Sequence, residues 1–364
     1  MLRGIRLVLA AGGTGGHLFP GVAVAEAVRR EAGAEVLFIG TANGLEKDIL
    51  SRFGFPLRFI PAEQLRGRNV WGMARALWAA LRGLGAAWQA ICEFTPDLIF
   101  SIGGYASGPT VLAGWVRRVP CVLLEPNAIP GLANRVLGRL ATRICVGFPR
   151  TVQFFPPQKA VYTGNPLRWN LSSPAAPQPA RSEGCTLLIF GGSAGARRLN
   201  QTVPPALALL RQDGRPYRII HQTGKADHAD VSAAYARYNL KAEVVPFIEN
   251  MREVYSAADL VICRAGAMTL AELTALGKPA ILIPYPYAAD DHQRANAEVL
   301  VQAGAACMIL DADLTPLRLS RQITELIEDP PRLAAMARAS AALGRPDATA
   351  AVVRECLACV SRKA

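Results

Sequence analysis

The 364-residue sequence has no apolar run approaching the ~20 residues that a bilayer-spanning helix needs. Its nearest candidates, such as Pro279 to Ala289, are too short and too rich in proline, so no integral span is expected. Charge is scarce too. Only 19% of residues are Asp, Glu, Lys or Arg, which excludes a coiled coil, while a hydrophobic content of 51% excludes disorder as a description of the whole. Glycine and proline number 32 and 26 without any period, which fits a loop-rich α/β chain rather than collagen or low-complexity sequence. The single Cys-x-x-Cys, Cys356 and Cys359, has no second pair to complete a zinc site. The eight cysteines, spread over apparent strands and helices, read as reduced packing thiols. At the N-terminus two arginines precede an apolar run that enters a glycine-rich motif with no cleavage-like gap, which predicts a first strand and not a signal peptide.

What is present is basic and unevenly placed. The formal charge is +12, and residues 1–164 carry 18 basic and 9 acidic side chains, against 19 and 17 in residues 165–345. A basic first half suits nucleic acid, an anionic membrane or a phosphorylated substrate, and charge alone does not choose among them.

Short aliphatic runs alternate with 10–15-residue helical patterns, the mark of βαβ units on a parallel sheet. One strand series is predicted at 5–10, 35–39, 97–102, 121–124, 143–146 and 160–163, and a second at 186–190, 217–221, 243–245, 260–263, 280–283 and 307–310. Between them lie Gly164, Asn165 and Pro166, then Ser172 to Ala180 with three prolines and no charge. This predicts an N-terminal domain over 1–164 and a C-terminal domain over 165–345, the helix at 346–364 packing back on the first. Each series begins with a strand that runs into a glycine cluster, AGGTGGH at Ala11 to His17 and GGSAGA at Gly191 to Ala196. Two Rossmann-like doubly wound domains are expected, with ligands at the carboxyl ends of their strands.

The glycine clusters allow tight turns and close backbone approach, and the helix that follows each aims N–H groups at an anion. Neither has the GK[ST] of a Walker loop nor a clean G-x-G-x-x-G. His17 ends the first cluster. Only four histidines exist, and this one is placed for proton transfer; capping its own helix is the alternative. Two further turns follow strands in the same half, IGGYASGP with Tyr105, and Leu124 to Asn127. Glu125 there either orients or acts as a base, or else serves as an N-cap or ion-pair partner. In the second half Thr269 and Glu272 have capping-box spacing. The same geometry lets Glu272 accept from ribose hydroxyls while the helix N-terminus faces a diphosphate. Asp290 to Asn296 reads as a sugar-hydroxyl binder or a solvated helix start. Asp311 and Asp313 formally match a metal-binding DxD, but are assigned to capping, and no metal is expected.

The motifs AGGTGGHLFPG, IGGYASGP, EPNAIPG, GNPLR, GGSAGA, HQTGK, CRAGAMTLAE and DDHQRANA, in this order from Ala11 to Ala297, resemble the MurG family of peptidoglycan N-acetylglucosaminyltransferases. The resemblance implies the GT-B architecture, two Rossmann-like domains facing an interdomain cleft. It implies inverting, metal-independent transfer of N-acetylglucosamine from UDP-N-acetylglucosamine to the 4-hydroxyl of N-acetylmuramic acid in lipid I, giving lipid II. Carried over residue by residue, Thr14, Gly15, Gly16, Tyr105, Asn127, Arg168, Ser193, Ile248, Ala267, Met268, Thr269, Leu270, Ala271, Glu272, His292 and Gln293 would bind substrate. Two departures stand out: EPN replaces the common EQN at Pro126, and His292 stands where many members have Gln. His17 and Glu125 are the catalytic candidates. With His17 as base, Arg168 and the helix N-termini after Gly191 and Gly266 would clamp the leaving diphosphate. The implied partners are UDP-N-acetylglucosamine, lipid I, the anionic membrane at its cytoplasmic face and other cell-wall synthesis proteins, with no nucleic acid and no cofactor.

From Arg66 to Cys92 there is no acid. At 100° per residue Trp71, Arg75, Trp78 and Arg82 share one stripe, and Leu77, Leu81, Leu84 and Trp88 another about 100° away, so one stripe would pack on the sheet and the other lie on headgroups. Arg68 joins the membrane set; Trp115, Arg117 and Arg118 extend it. A core helix with a solvated basic face is the alternative. Rivals to the functional reading are another GT-B enzyme, such as a diacylglycerol sugar transferase, and a non-catalytic dinucleotide- or nucleic-acid-binding protein.

Overall fold

Strands form where the sequence places runs of Leu, Ile, Val and Phe between glycine-rich turns. In a computed structural model those runs are buried on both faces, as parallel strands covered by helices must be. The structure describes residues 4–10, 15–41, 46–61, 70–104, 106–167, 184–192, 195–210 and 217–361; the side chains of 15, 17, 46–49 and 70–77 lie outside the description. The chain divides into two units, Met1–Arg168 with Pro346–Ala364, and Trp169–Arg345.

The first unit holds β1 (Arg6–Ala10), β2 (Glu35–Gly40), β3 (Leu57–Phe59), β4 (Leu98–Ser101), β5 (Cys121–Glu125), β6 (Arg143–Val146) and β7 (Ala160–Tyr162). The second holds β8 (Cys185–Phe190), β9 (Tyr217–Gln222), β10 (Glu243–Val245), β11 (Leu260–Cys263), β12 (Ala280–Leu282) and β13 (Ala306–Met308). The sheet orders are β3-β2-β1-β4-β5-β6-β7 and β10-β9-β8-β11-β12-β13, every described pair being parallel. Counted within its own unit, the second sheet repeats the 3-2-1-4-5-6 order of the first, which is the doubly wound arrangement. Each sheet therefore reverses its winding beside its first strand, between β1 and β4 and between β8 and β11, and a crevice opens at the carboxyl ends there. β3 was not anticipated. It is a three-residue, half-exposed edge strand, too short to show a period of two.

Alternation along the strands sends Leu7, Leu9, Phe38 and Phe100 to one core of the first unit and Val8, Ile39, Ile99 and Leu123 to the other. The terminal helix Ala348–Ser361 adds Val352, Val353, Cys356 and Cys359 to the former core, and Arg143 on β6 holds it through Glu355 at 2.6 Å. Burial pushes the Cys356 thiol well above its usual range. The pair is core packing, in keeping with the expectation from its isolation in sequence.

Candidate active site

At the carboxyl edge of the first sheet the helix Gly15–Ala32 begins five residues after β1 ends, which puts His17 in its first turn beside the winding reversal. Two residues after β4, Gly103 and Gly104 take φ of +100° and +85°, a conformation that favours glycine, and turn the chain into the helix Ser107–Val116. The Ser107 hydroxyl donates to the Gly103 carbonyl at 2.6 Å and fixes that turn.

Glu125 is the last residue of β5 and only 1% exposed. Both its oxygens are taken up by its own loop. Oε1 accepts from the Asn127 backbone at 2.9 Å and from Asn127 Nδ2 at 3.2 Å, and Oε2 accepts from Gly131 N at 3.1 Å and Asn134 Nδ2 at 3.0 Å. Burial raises its pKa to about 7 against the pull of these donors. The rest of the loop is pinned from outside. Thr151 donates to the carbonyls of Asn127 and Ala128, and Asn165 Nδ2 to that of Pro126 at 3.0 Å. Pro126, which has no N–H to offer, contributes only that carbonyl. Glu125 thus sets the shape of the Pro126–Asn134 segment and the place of the Asn127 amide.

The second unit builds its edge differently, by cross-links between loops. Gly191, Gly192 and Gly195 follow β8. Gly195 has φ +83°, and a Cβ there would collide with the Thr223 carbonyl oxygen, so close approach as well as backbone conformation requires glycine. Gln222, at the end of β9, donates to the Gly192 carbonyl at 2.9 Å and accepts from Ile248 N at 3.2 Å, tying the glycine loop to the Ile248 segment. Behind it His221 is fully buried between the Tyr235 hydroxyl at 2.9 Å and Asn200 Oδ1 at 3.1 Å, and burial lowers its pKa to about 3. It is a neutral scaffold residue.

After β11, Gly266 is the N-cap of the helix Ala267–Ala275, so Thr269 and Glu272 stand at its third and sixth positions. A capping box would need Thr269 at the N-cap; the spacing is there but the helix starts three residues too early. Glu272 is instead buried within the unit, its Oε2 accepting from the Tyr255 hydroxyl at 3.0 Å. Arg264 is nine-tenths buried and reaches Asp311 at 2.6 Å and the carbonyls of Ile283 and Pro284 at 3.1 Å each. Asp311 also faces Arg198 at 3.5 Å, and Asp313 pairs with Arg318 at 3.2 Å. This corrects the capping assignment of the DxD string: Thr315 caps the following helix with its own hydroxyl, accepting from Arg318 N at 3.2 Å, while the two aspartates meet arginines. Among the described residues no group of three or more His, Cys, Asp or Glu could hold a metal ion.

After β12 comes the segment Ile283–Asp291, closed by Asp290 and Asp291 in left-handed backbone at φ +53° and +51° before the helix His292–Gln302. His292 Nδ1 lies 2.7 Å from the Ala289 carbonyl, and Gln293 Oε1 accepts from Tyr285 N at 2.9 Å. The solvated-start alternative thus describes the segment only in part, since both side chains fold back on it. Of the anticipated site residues, the catalytic candidate Glu125 and the substrate candidate Asn127 meet at one strand end, and Ala267, Met268, Thr269, Leu270, Ala271 and Glu272 share one helix. Ile248 follows β10 at one edge of the second sheet, whereas His292 and Gln293 follow β12 on the far side of its central strands. Thr14, Tyr105, Arg168 and Ser193, and the side chain of His17, lie outside the described residues. Gln222, Arg264 with Asp311, and Asn165 were missed. For Gln222 and Asn165 the signal lies in HQTGK and GNPLR, where they are the polar side chains that bind neighbouring loops.

The helix Val70–Phe94 presents Trp78, Leu81, Arg82 and Trp88 to solvent on one face and packs with Gly83, Ala87, Ala90 and Ile91. The two-stripe division is therefore corrected. Leu81 and Trp88 belong with Trp78 and Arg82, while Leu84 packs on the core with Ala87, Ala90 and Ile91, and the helix comes so close that a Cβ on Gly83 would strike the Pro61 carbonyl. Trp115 and Val116, at the end of the helix Ser107–Val116, are also exposed, and Arg117 lies 5.5 Å over the Trp88 ring. Arg68 is outside the described residues, as are the side chains of Trp71 and Arg75. No helix among the described residues is long and apolar enough to cross a membrane.

Comparison with known proteins gives a consistent picture. The glycosyltransferase family 28 N-terminal domain matches residues 7–146 and the family 28 C-terminal domain residues 186–352. A UDP-N-acetylglucosamine–N-acetylmuramyl-(pentapeptide) pyrophosphoryl-undecaprenol N-acetylglucosamine transferase of Geobacter sulfurreducens is 45% identical, over 97% of this chain and 98% of its own. The protein of the same name from Myxococcus xanthus is 41% identical, over 97% of this chain and 92% of its own. The crystal structure of Acinetobacter baumannii MurG superposes with a TM-score of 0.80 at 34% identity, covering 97% of this chain and 99% of that one. The calicheamicin glycosyltransferase CalG4, at TM-score 0.70 and 17% identity, shares the fold.

Proposed function

The chain belongs to the MurG family of family 28 glycosyltransferases, and from that membership we propose that it transfers N-acetylglucosamine from UDP-N-acetylglucosamine to lipid I, the N-acetylmuramyl-pentapeptide pyrophosphoryl-undecaprenol, giving lipid II. One observation carries the reading: identity of 45% to a transferase so named extends over 97% of the chain and thus over both units. In the proposed reaction the 4-hydroxyl oxygen of N-acetylmuramic acid attacks the anomeric carbon from the face opposite UDP. The carbon–oxygen bond to the β-phosphate breaks as the new glycosidic bond forms, and the anomeric configuration inverts. His17 takes the hydroxyl proton on its imidazole. Glu125 is given a positioning role, because its two oxygens already accept four hydrogen bonds from its own loop. It holds Asn127 toward the substrate.

The departing diphosphate is met by Arg168, by the Ser193 turn and by the N-terminus of the helix Ala267–Ala275, and no cofactor is assigned. Glu272 accepts from the ribose hydroxyls, Ile248 borders the base, and Gln293 and His292 meet the sugar. The acceptor's lipid places the enzyme at the cytoplasmic face of the membrane. The exposed Trp78, Leu81, Arg82, Trp88 and Trp115 support docking there, with aromatics at the interface and guanidinium groups on anionic headgroups. Transfer of labelled N-acetylglucosamine to a lipid I analogue tests the reading. It is supported by a lipid II product. Transfer to diacylglycerol instead, or binding of NAD or oligonucleotides without any transfer, overturns it.

A further inference from the structure

The segment after β12 carries two tyrosines that neither the core nor the proposed contacts use. Tyr285 is 44% exposed and Tyr287 82%, and their rings meet edge to face, with centroids 5.6 Å apart at 71°. Large aromatic side chains left in water cost hydrophobic free energy. Here the surrounding structure keeps them in place. The Arg264 guanidinium lies 5.7 Å over the Tyr285 ring and is itself fixed by Asp311 at 2.6 Å and by the carbonyls of Ile283 and Pro284. From the other side, Gln293 pins the Tyr285 backbone N–H at 2.9 Å. Tyr285 is thus preorganised on a loop whose backbone is tied to both neighbouring segments, and Tyr287 meets its ring edge to face.

We propose that Tyr285 and Tyr287 form a stacking platform for the pyranose ring of the sugar being transferred, an inference that rests on the donor reading above. Strand order gives the direction. Ile248 follows β10 at one edge of the sheet, the glycine loop and the Gly266 helix N-terminus follow the central β8 and β11, and the tyrosine segment follows β12 beyond them. A nucleotide sugar laid along this edge with its diphosphate at the central turns and its ribose at Glu272 carries its hexose to β12. There Gln293 and His292 offer hydrogen bonds to hydroxyls. A pyranose also has an apolar face of C–H groups, which hydrogen bonds cannot hold and an aromatic face can. The platform supplies that second kind of contact, and Asp311 acts through Arg264 to keep it aimed.

The test is calorimetric titration of the full chain with UDP and with UDP-N-acetylglucosamine, comparing wild type, Tyr287→Ala and Tyr287→Phe. Tyr287 is mostly in water, so neither change threatens the fold, and equal Tm values verify this. Tyr287→Ala is expected to weaken UDP-N-acetylglucosamine about 3–10-fold, the size of one aromatic contact, and to leave UDP unchanged; Tyr287→Phe should bind both as wild type. Equal weakening of both ligands, or no change in either, would overturn the platform while leaving the donor reading intact. A wild type that binds neither ligand overturns both.

Discussion

The two units share a strand order and differ in how they fix the ends of their strands. In the first, the loop after β5 folds around one buried carboxylate, and Glu125 organises its own neighbours within nine residues. In the second, side chains reach across from one strand end to another, from Gln222 to Gly192 and Ile248 and from Arg264 to Asp311 and Ile283. A loop shaped by its own carboxylate, with Thr151 and Asn165 holding its carbonyls, can be presented to a bulky acceptor without disturbing its sheet. A cross-linked edge holds a row of fixed subsites, which suits an extended ligand such as a nucleotide sugar. The charge follows the same division. The basic excess lies in the first half, together with the exposed tryptophans, while the second half is close to neutral.

If the division of labour is right, changes in the two units break different parts of the cycle. The largest effect expected is that of His17→Ala, which should lower kcat by ~10²–10⁴-fold at saturating donor, read by single-turnover transfer to a lipid I analogue. Near-normal turnover would move the base elsewhere. Next comes Glu272→Ala, which should raise the donor KM by about 10–100-fold, since hydrogen bonds to a charged group contribute ~1.5–3 kcal/mol each. A loss of Tm at unchanged KM would return Glu272 to a structural role within its unit.

A smaller effect sharpens the contrast from the side of the first unit. Glu125→Gln should lower stability by ~1–3 kcal/mol, because an amide nitrogen would then face N–H donors. With its folded pKa raised to about 7, the carboxyl contributes stability that is complete below the unfolded value of about 4.3 and is lost as pH rises through 7. The gap between wild type and Glu125→Gln in denaturant melts should therefore narrow from about pH 4 to about pH 7. A gap that widens over that range would contradict the assigned direction. The smallest effect per residue is at the membrane face. Each arginine near anionic lipid contributes ~1 kcal/mol, so changing Arg68, Arg75 and Arg82 together to Glu should abolish liposome binding at physiological salt while sparing activity on a water-soluble acceptor. Unaltered liposome binding in that variant would return the helix face to ordinary solvation.

Much of this was legible in the sequence for a physical reason. A buried parallel strand that runs into glycines leaves a strong local pattern, and that pattern marks both series of strands. Leu57–Phe59 left none, since three residues on a sheet edge need no apolar repeat. Helix faces were harder. The period placed Trp78 with Arg82, but which stripe packs is decided by how near the helix comes to Pro61, and Gly83, Ala87 and Ala90 looked unremarkable as candidates for a packing face. The capping box at Thr269 and the cap at Asp311 failed for one cause. Spacing fixes what a helix start would look like, whereas the start itself is set by where the strand before it ends. Cross-links such as Arg264 with Asp311, 47 residues apart, have no local signature at all.

The most direct test of the division between the units is equilibrium titration of UDP-N-acetylglucosamine into His17→Ala and Glu272→Ala alongside wild type. The account predicts a wild-type Kd for His17→Ala, whose transfer is nonetheless lost, and a Kd weakened by about 10-fold or more for Glu272→Ala. A donor Kd weakened as much by His17→Ala as by Glu272→Ala would contradict it.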